Sequence, residues 1–163
     1  MQLSDVEKFF KHLKKNVDDP YYGAGIALFY KRDGEVLIGK RKEHPFKGQW
    51  SFPGGGLHEN ETYLDCAYRE FCEEMNLQLD NPELRFNEKF NTPRQIDIVK
   101  FDFPIFHWET FIMETDIKTV PEGPWDEFSE VLFSSPGGIG FALFQRHWGV
   151  MEAVKCYNRF CSK

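Results

Sequence analysis

The sequence predicts an α+β sandwich, a mixed β-sheet flanked by helices, with residues 1–163 forming one domain. Three observations predict it. Short runs rich in β-branched and aromatic residues are separated by turn residues, a helical pattern interrupts them at about 62–75, and a second apolar stripe at helical spacing closes the chain.

Each element has a local reason. Ser4 followed by Glu7, with Leu3, Val6, Phe10 and Leu13 apolar, reads as a capped amphipathic helix ending near Asn16 and stopped by Asp18-Asp19-Pro20. Gly23 to Tyr30 and Glu35 to Arg41 are apolar runs flanking Lys31-Arg32-Asp33-Gly34, whose Asp-Gly pair signals a hairpin. Phe52-Pro53-Gly54-Gly55-Gly56 reads as a strand end turning into a tight loop, where glycines permit positive φ and leave backbone groups open to close approach. Thr62 with Asp65 three residues on is a capping-box start for a helix from about Thr62 to Met75. Its stripe of Leu64, Ala67, Phe71 and Met75 anchors it on a core while its carboxylates look away. Leu84 to Asn91, Gln95 to Phe103 and Ile105 to Glu114 have strand composition, broken by Pro93 and Pro104. After a turn-like Pro121 to Asp126, Glu130 to Phe133 reads as a short strand and Ser134 to Gly138 as a loop. A last helix runs from about Phe141 to Phe160 on a stripe of Phe144, Trp148, Met151 and Val154.

Composition excludes several classes of function. A chain of 163 residues buries about 70% of its extended surface, enough for one sizeable core. The absence of an apolar run of about 18 residues, and of a basic-then-apolar leader, predicts no membrane span and no signal peptide, hence a cytoplasmic protein. A formal net charge of -6 argues against wrapping a long nucleic acid, which needs dense Lys and Arg, and favours a small nucleotide as ligand. Cys66, Cys72, Cys156 and Cys161 lack zinc-ligand spacing and read as reduced structural thiols.

The chemistry is concentrated in residues 55 to 77. Glu70, Glu73 and Glu74 stand at i, i+3 and i+4, so a helix projects all three carboxylates from one face. Each like-charged pair costs an isolated helix roughly 0.2–0.5 kcal/mol. A lone Glu-Glu pair is usually a solvated face, but this cluster is better explained by a hard divalent cation among the oxygens. Gly55, five residues, Glu61, seven residues, then Arg69-Glu70-Phe71-Cys72-Glu73-Glu74-Met75-Asn76-Leu77 resembles the Nudix box of the MutT-like hydrolases. Six identities at that spacing arise by chance on the order of once in 10⁷ start positions. The departure is Asn76, where the family usually has Gly, and Asn is the side chain that best tolerates the left-handed position after a helix.

The resemblance implies a Nudix-type α/β/α sandwich and a Mg²⁺-dependent attack of water on the pyrophosphate of a nucleoside diphosphate linked to another moiety, with Mn²⁺ as an alternative cation. It implies Glu70 and Glu74 as principal metal ligands, Glu73 as a third, the Gly54 carbonyl as a further oxygen, and a carboxylate from a later loop, for which Glu127 is the candidate and Asp126, Glu122 and Glu130 are rivals. Glu70, Glu73 or the later glutamate would be the general base; Arg69 would orient a carboxylate, and Glu61 would support the metal shell or pair with Arg69. Substrate would meet Arg41, within Lys40-Arg41-Lys42 at the rim, together with Trp50, Phe52 and Gly55. Trp50, Phe90, Trp108 and Trp125 are the rings able to stack a base. Pro93, sixteen residues past Leu77, points weakly to ADP-ribose, while Gly48 to Gly55 also resembles members acting on nucleoside triphosphates or nucleotide sugars. A homodimer is common among members. The contrasting reading is a catalytically silent Nudix-like module that binds a nucleotide or a partner.

Overall fold

The computed structural model describes residues 20–43, 46–135 and 148–163. The expected first helix, the far end of the Ser134–Gly138 loop and the Phe141–Phe144 start of the last helix lie outside them. Strands β1 (Tyr21–Tyr30) and β2 (Val36–Arg41) form the expected hairpin, with Gly34 at φ 72° in its turn. There follow β3 (Trp50–Ser51), β4 (Gly54–Gly56), helix α1 (Tyr63–Glu74), helix α2 (Pro82–Phe90), β5 (Arg94–Phe103), β6 (Phe106–Thr115), β7 (Phe128–Ser134) and helix α3 (Trp148–Cys161).

The sheet is mixed, in the order β3-β2-β1-β6-β5, with β4 added to β1 and β7 to β2. β6 runs parallel to β1 along its whole length, from Tyr21↔Phe106 to Tyr30↔Thr115, so β2 and β4 must share the other edge of β1. They do so in sequence: β2 pairs at Phe29↔Val36, and β4 takes over at Gly25↔Gly54. The hairpin therefore splits. β3 stays on β2 at Gly39↔Ser51, and residues 50–56 line the fork.

Alternation along β1 sorts the core onto two faces. Ala24, Ile26 and Leu28 join Ala67, Phe71 and Met75 of α1 and Phe86 and Phe90 of α2. Ala27 and Phe29 join Ile112 of β6 and Val150, Ala153, Val154 and Tyr157 of α3. With both faces covered, β1 reads as a near-continuous apolar run. Phe71 sits edge-on to Phe86 with ring centroids 4.9 Å apart, and full burial of such a side chain contributes about 1.5–3 kcal/mol.

The strand expected at Leu84–Asn91 is helix α2. Asn81 caps it by accepting from the Leu84 amide at 3.2 Å, Pro82 opens it, and Lys89 lies in its last turn. Asn91 ends it in the left-handed conformation at φ 56°. Phe86 and Phe90, four apart, bury against α1, a helical pairing that aromatic content alone reads as strand.

Candidate active site

Helix α1 is fixed at both ends. Thr62 accepts from the Asp65 amide at 3.1 Å, and its hydroxyl donates to Asp65 Oδ2 at 2.6 Å. At the other end Asn76 adopts φ 57° and the Leu77 amide donates to the Cys72 carbonyl at 2.9 Å, which is a Schellman ending made with Asn in place of Gly.

Between these caps, Arg69 organises the acids. Its Nε donates to Glu61 Oε1 at 2.7 Å and Nη2 to Glu61 Oε2 at 3.0 Å, a bidentate pair. Nη1 reaches Glu70 Oε1 at 2.7 Å and Glu73 Oε2 at 3.1 Å, and Nη2 also donates to the Gly56 carbonyl at 2.8 Å. Glu61 accepts the His58 amide at 3.0 Å as well, and Arg69 holds its carboxyl below the usual range. One guanidinium thus ties the loop, strand β4 and two carboxylates of the helix together.

The glycines serve close approach rather than unusual backbone. Gly54–Gly56 form a strand, not the expected turn, and the positive-φ glycines among the described residues are Gly34 and Gly48. A Cβ at Gly55 would fall 2.4 Å from the Glu70 carboxyl carbon, so the carboxylate lies flat on that backbone. The Gly54 amide donates to Glu74 Oε2 at 2.8 Å.

Glu74 does not look away from the core as expected. It is buried, with 3% of its surface exposed, because the helix packs its last turn against β4. Burial raises its proton affinity well above that of a free carboxylate, and the charges of Glu127 and Glu70 raise it further against the Gly54 bond. Glu70 is also raised, by burial first, with Glu73 and Glu127 adding to it and Arg69 opposing. Of the loop acids considered, Glu127 is the one whose charge acts on both Glu70 and Glu74. It sits in the loop just before β7, 3.7 Å from the Arg41 guanidinium. Lys42 holds the same loop, donating its amide to the Glu127 carbonyl at 3.0 Å and Nζ to the Trp125 carbonyl at 2.9 Å.

The aromatic candidates separate. Trp50, 5% exposed, and Phe52 pack into the core on the α3 face, opposite α1. Phe90 is fully buried beside Phe71 and Phe86, so it offers no ring to a base. Trp125 packs on the α1-side core and donates to the Pro121 carbonyl at 3.1 Å. Trp108 is half-buried beside Gly54. Tyr21, absent from the sequence-based candidates, stacks near it, and the signal that finds it is strand register: Tyr21, Gly23 and Gly25 share a face with Phe106 and Trp108.

The donor chemistry fits a hard cation. Carboxylate oxygens such as those of Glu70, Glu73, Glu74 and Glu127 are the donors Mg²⁺ and Mn²⁺ prefer, and a cation would relieve the negative charge that, after burial, raises Glu70 and Glu74. Among the described residues no three acidic, His or Cys side chains stand gathered as a ready-made cage. Arg69 accounts for part of this, since it holds one oxygen each of Glu70 and Glu73.

A split mixed sheet between helices, with an Arg-organised acidic helix pressed on a glycine strand, is the architecture of a Nudix hydrolase. The chain belongs to that family: the NUDIX domain profile matches residues 20–147. An RNA pyrophosphohydrolase of Psychrobacter sp. is 50% identical over 62 residues, covering 37% of this chain and 34% of that protein. The low-salt glycan biosynthesis protein Agl8 of Haloferax volcanii is 37% identical over 54 residues, covering 33% and 35%. The chain thus spans about a third of the length of these curated relatives. Among solved structures, a bifunctional NMN adenylyltransferase/ADP ribose pyrophosphatase from Francisella tularensis, complexed with AMP and a manganese ion, aligns with TM-score 0.63 at 22% identity over 94% of this chain and 46% of that one. A MutT protein from Methanosarcina mazei aligns with TM-score 0.60 at 17% identity over 91% and 100%. These likenesses bear on the fold.

Proposed function

We propose that the protein is a metal-dependent pyrophosphohydrolase that cleaves a nucleoside diphosphate linked to another moiety. The observation that carries this reading is that Glu70 and Glu74, one helical turn apart on α1, lie against Gly55 and Gly54, with the charge of Glu127 acting on both. A stability role explains it poorly, because burial and mutual repulsion disfavour the charged forms.

Glu70, Glu74 and Glu127 would hold Mg²⁺ or Mn²⁺, with Glu73 and the Gly54 carbonyl as further oxygens. The cation would supply neutralisation of the pyrophosphate and a lowered pKa for the attacking water. The chain's own groups do the rest. Arg69 and Glu61 set the height of α1 on β4 and so the placing of Glu70. Arg41, at the end of β2, lies beside Glu127 where substrate phosphates would meet it. The proton of the attacking water needs a carboxylate open to solvent, which Glu73 at 38% and Glu127 at 51% side-chain exposure satisfy and buried Glu74 does not.

All the box carboxylates are present, which speaks against a silent module. The test is a panel of ADP-ribose, nucleotide sugars, nucleoside triphosphates and 5′-triphosphorylated oligoribonucleotide with Mg²⁺ or Mn²⁺, run beside Glu74→Gln. Metal-dependent release of two phosphorylated products by wild type alone supports the reading. Equal release by both proteins overturns it.

A further inference from the structure

We propose that the base of a nucleotide substrate stacks on an aromatic shelf made by Trp108 and Tyr21, on the sheet face opposite α1. This rests on the hydrolase reading and deepens it, by naming where the nucleobase of that substrate would sit.

The shelf is built by register. Tyr21↔Phe106 and Gly23↔Trp108 are partners in the parallel β1–β6 pair, which places three rings on one face at the β1 N-terminal end. Their planes are nearly parallel: 9° between Tyr21 and Trp108 with centroids 6.5 Å apart, and 3° between Phe106 and Trp108 at 6.1 Å. Phe106 is buried, whereas Tyr21 and Trp108 keep part of their surface open. Neither ring belongs to the two cores of the described residues.

The floor beneath Trp108 is glycine. A Cβ at Gly23 would fall 2.5 Å from Cζ3 of the indole, and one at Gly54 would fall 2.9 Å from Cζ2. Any side chain at either position would lift the ring. The Trp108 Nε1 donates to Thr110 Oγ1 at 3.0 Å, which fixes the ring's orientation. A rigid indole seated on bare backbone is a stacking platform prepared before ligand arrives.

Its occupant is indicated by what adjoins it. Gly54 touches Trp108 on one side and gives its amide to Glu74 on the other, so one thin strand separates the shelf from the carboxylates. Among the described residues β4 pairs only with β1, and on its other edge the Gly54 amide meets Glu74 and the Gly56 carbonyl meets Arg69. A ligand whose phosphates lie at the carboxylates can pass around that edge and lay a ring on Trp108. The Tyr21 hydroxyl lies 3.3 Å from where a Gly56 Cβ would be, between the two places, and has no hydrogen-bond partner among the described residues. Burial first, and then the charges of Glu70, Cys66, Glu127 and Glu74, push that phenol well above the usual tyrosine range.

The experiment compares AMP with ribose 5-phosphate by titration calorimetry and tryptophan fluorescence, in wild type, Trp108→Ala and Trp108→Phe. AMP should bind wild type about tenfold more tightly than ribose 5-phosphate and quench its fluorescence. Trp108→Ala should bind AMP about tenfold more weakly, with ribose 5-phosphate unchanged. Trp108→Phe, which keeps a ring and the fold, should retain most of the affinity but lose the quenching. The proposal is overturned if Trp108→Phe keeps full quenching, or if folded Trp108→Ala binds AMP as wild type does. Failure of the hydrolase reading is a separate result: no nucleotide cleaved, while loss of AMP binding in Trp108→Ala persists.

Discussion

Glu74 and Glu114 are both buried glutamates, with 3% and 7% of their surface exposed, and their surroundings differ in kind. Glu114, on β6, accepts the Tyr157 hydroxyl of α3 at 2.7 Å on one oxygen and Arg94 Nη2 of β5 at 3.1 Å on the other. Both oxygens are engaged, and the carboxylate docks α3 onto the sheet. Glu74 has one backbone donor, Gly54, and its proton affinity is pushed up by burial first and then by the charges of two acidic neighbours, Glu127 and Glu70. A buried acid that its own fold satisfies is structural. One that the fold leaves crowded with like charge marks a place where something positive is to arrive.

The contrast predicts opposite outcomes for the two sites. The largest effect is expected for Glu74→Gln, which on the proposed metal-dependent reading should lower turnover about 10–100-fold, while leaving the metal-free melting temperature unchanged or higher. Product assay and thermal melting on one preparation check both halves. Tyr157→Phe should do the reverse: removing the donor leaves a Glu114 oxygen unsatisfied at a cost of about 1–3 kcal/mol, read by urea unfolding, with turnover of the folded enzyme near wild type.

A pH series sharpens the same comparison. Because the folded-state proton affinity of Glu74 is raised above its unfolded value, the folded protein binds the extra proton. Its contribution is therefore fully present below the ordinary carboxylate range and is lost as pH rises through the higher folded value. Melting temperature in EDTA should fall as pH rises across that interval in wild type, more than in Glu74→Gln, and added Mg²⁺ should restore it at the upper end. A wild-type curve superimposing on that of the variant would remove the argument. The smallest effect is expected at the helix end. Asn76→Gly relieves the cost of φ 57° and should stabilise by a few tenths of a kcal/mol to about 1 kcal/mol without changing turnover, since Glu74 is placed by the turn before it.

Much of the active helix was legible in the residues. Thr62 and Asp65 marked its start, Asn76 its left-handed end, and Ala67, Phe71 and Met75 its core stripe, because caps and periodicity are local properties of the backbone. Helix α2 is not legible as a helix in composition, although Asn81, Pro82 and Glu83 carry start signals, since Phe86 and Phe90 weigh as strand formers until the aromatic partner Phe71 is known. The family pattern makes Trp50 and Phe52 candidates for substrate contact, whereas in the fold both pack on the α3-side core, Trp50 through the register of β3 on β2. The glycines at 54–56 were legible as necessary, but the reason was not: they admit Glu70 and Trp108 rather than an unusual turn.

What the chain alone determined is the local chemistry, the family pattern, the caps of α1 and the three carboxylates one turn apart, because each depends on neighbours within a few residues. Tertiary structure alone decided that Glu74 is buried, that Glu127 is the loop acid acting on it, and that Tyr21 and Trp108 share a face beside Gly54. Those facts depend on strand register and on which elements press together, and contacts between residues tens of positions apart are written in no local pattern.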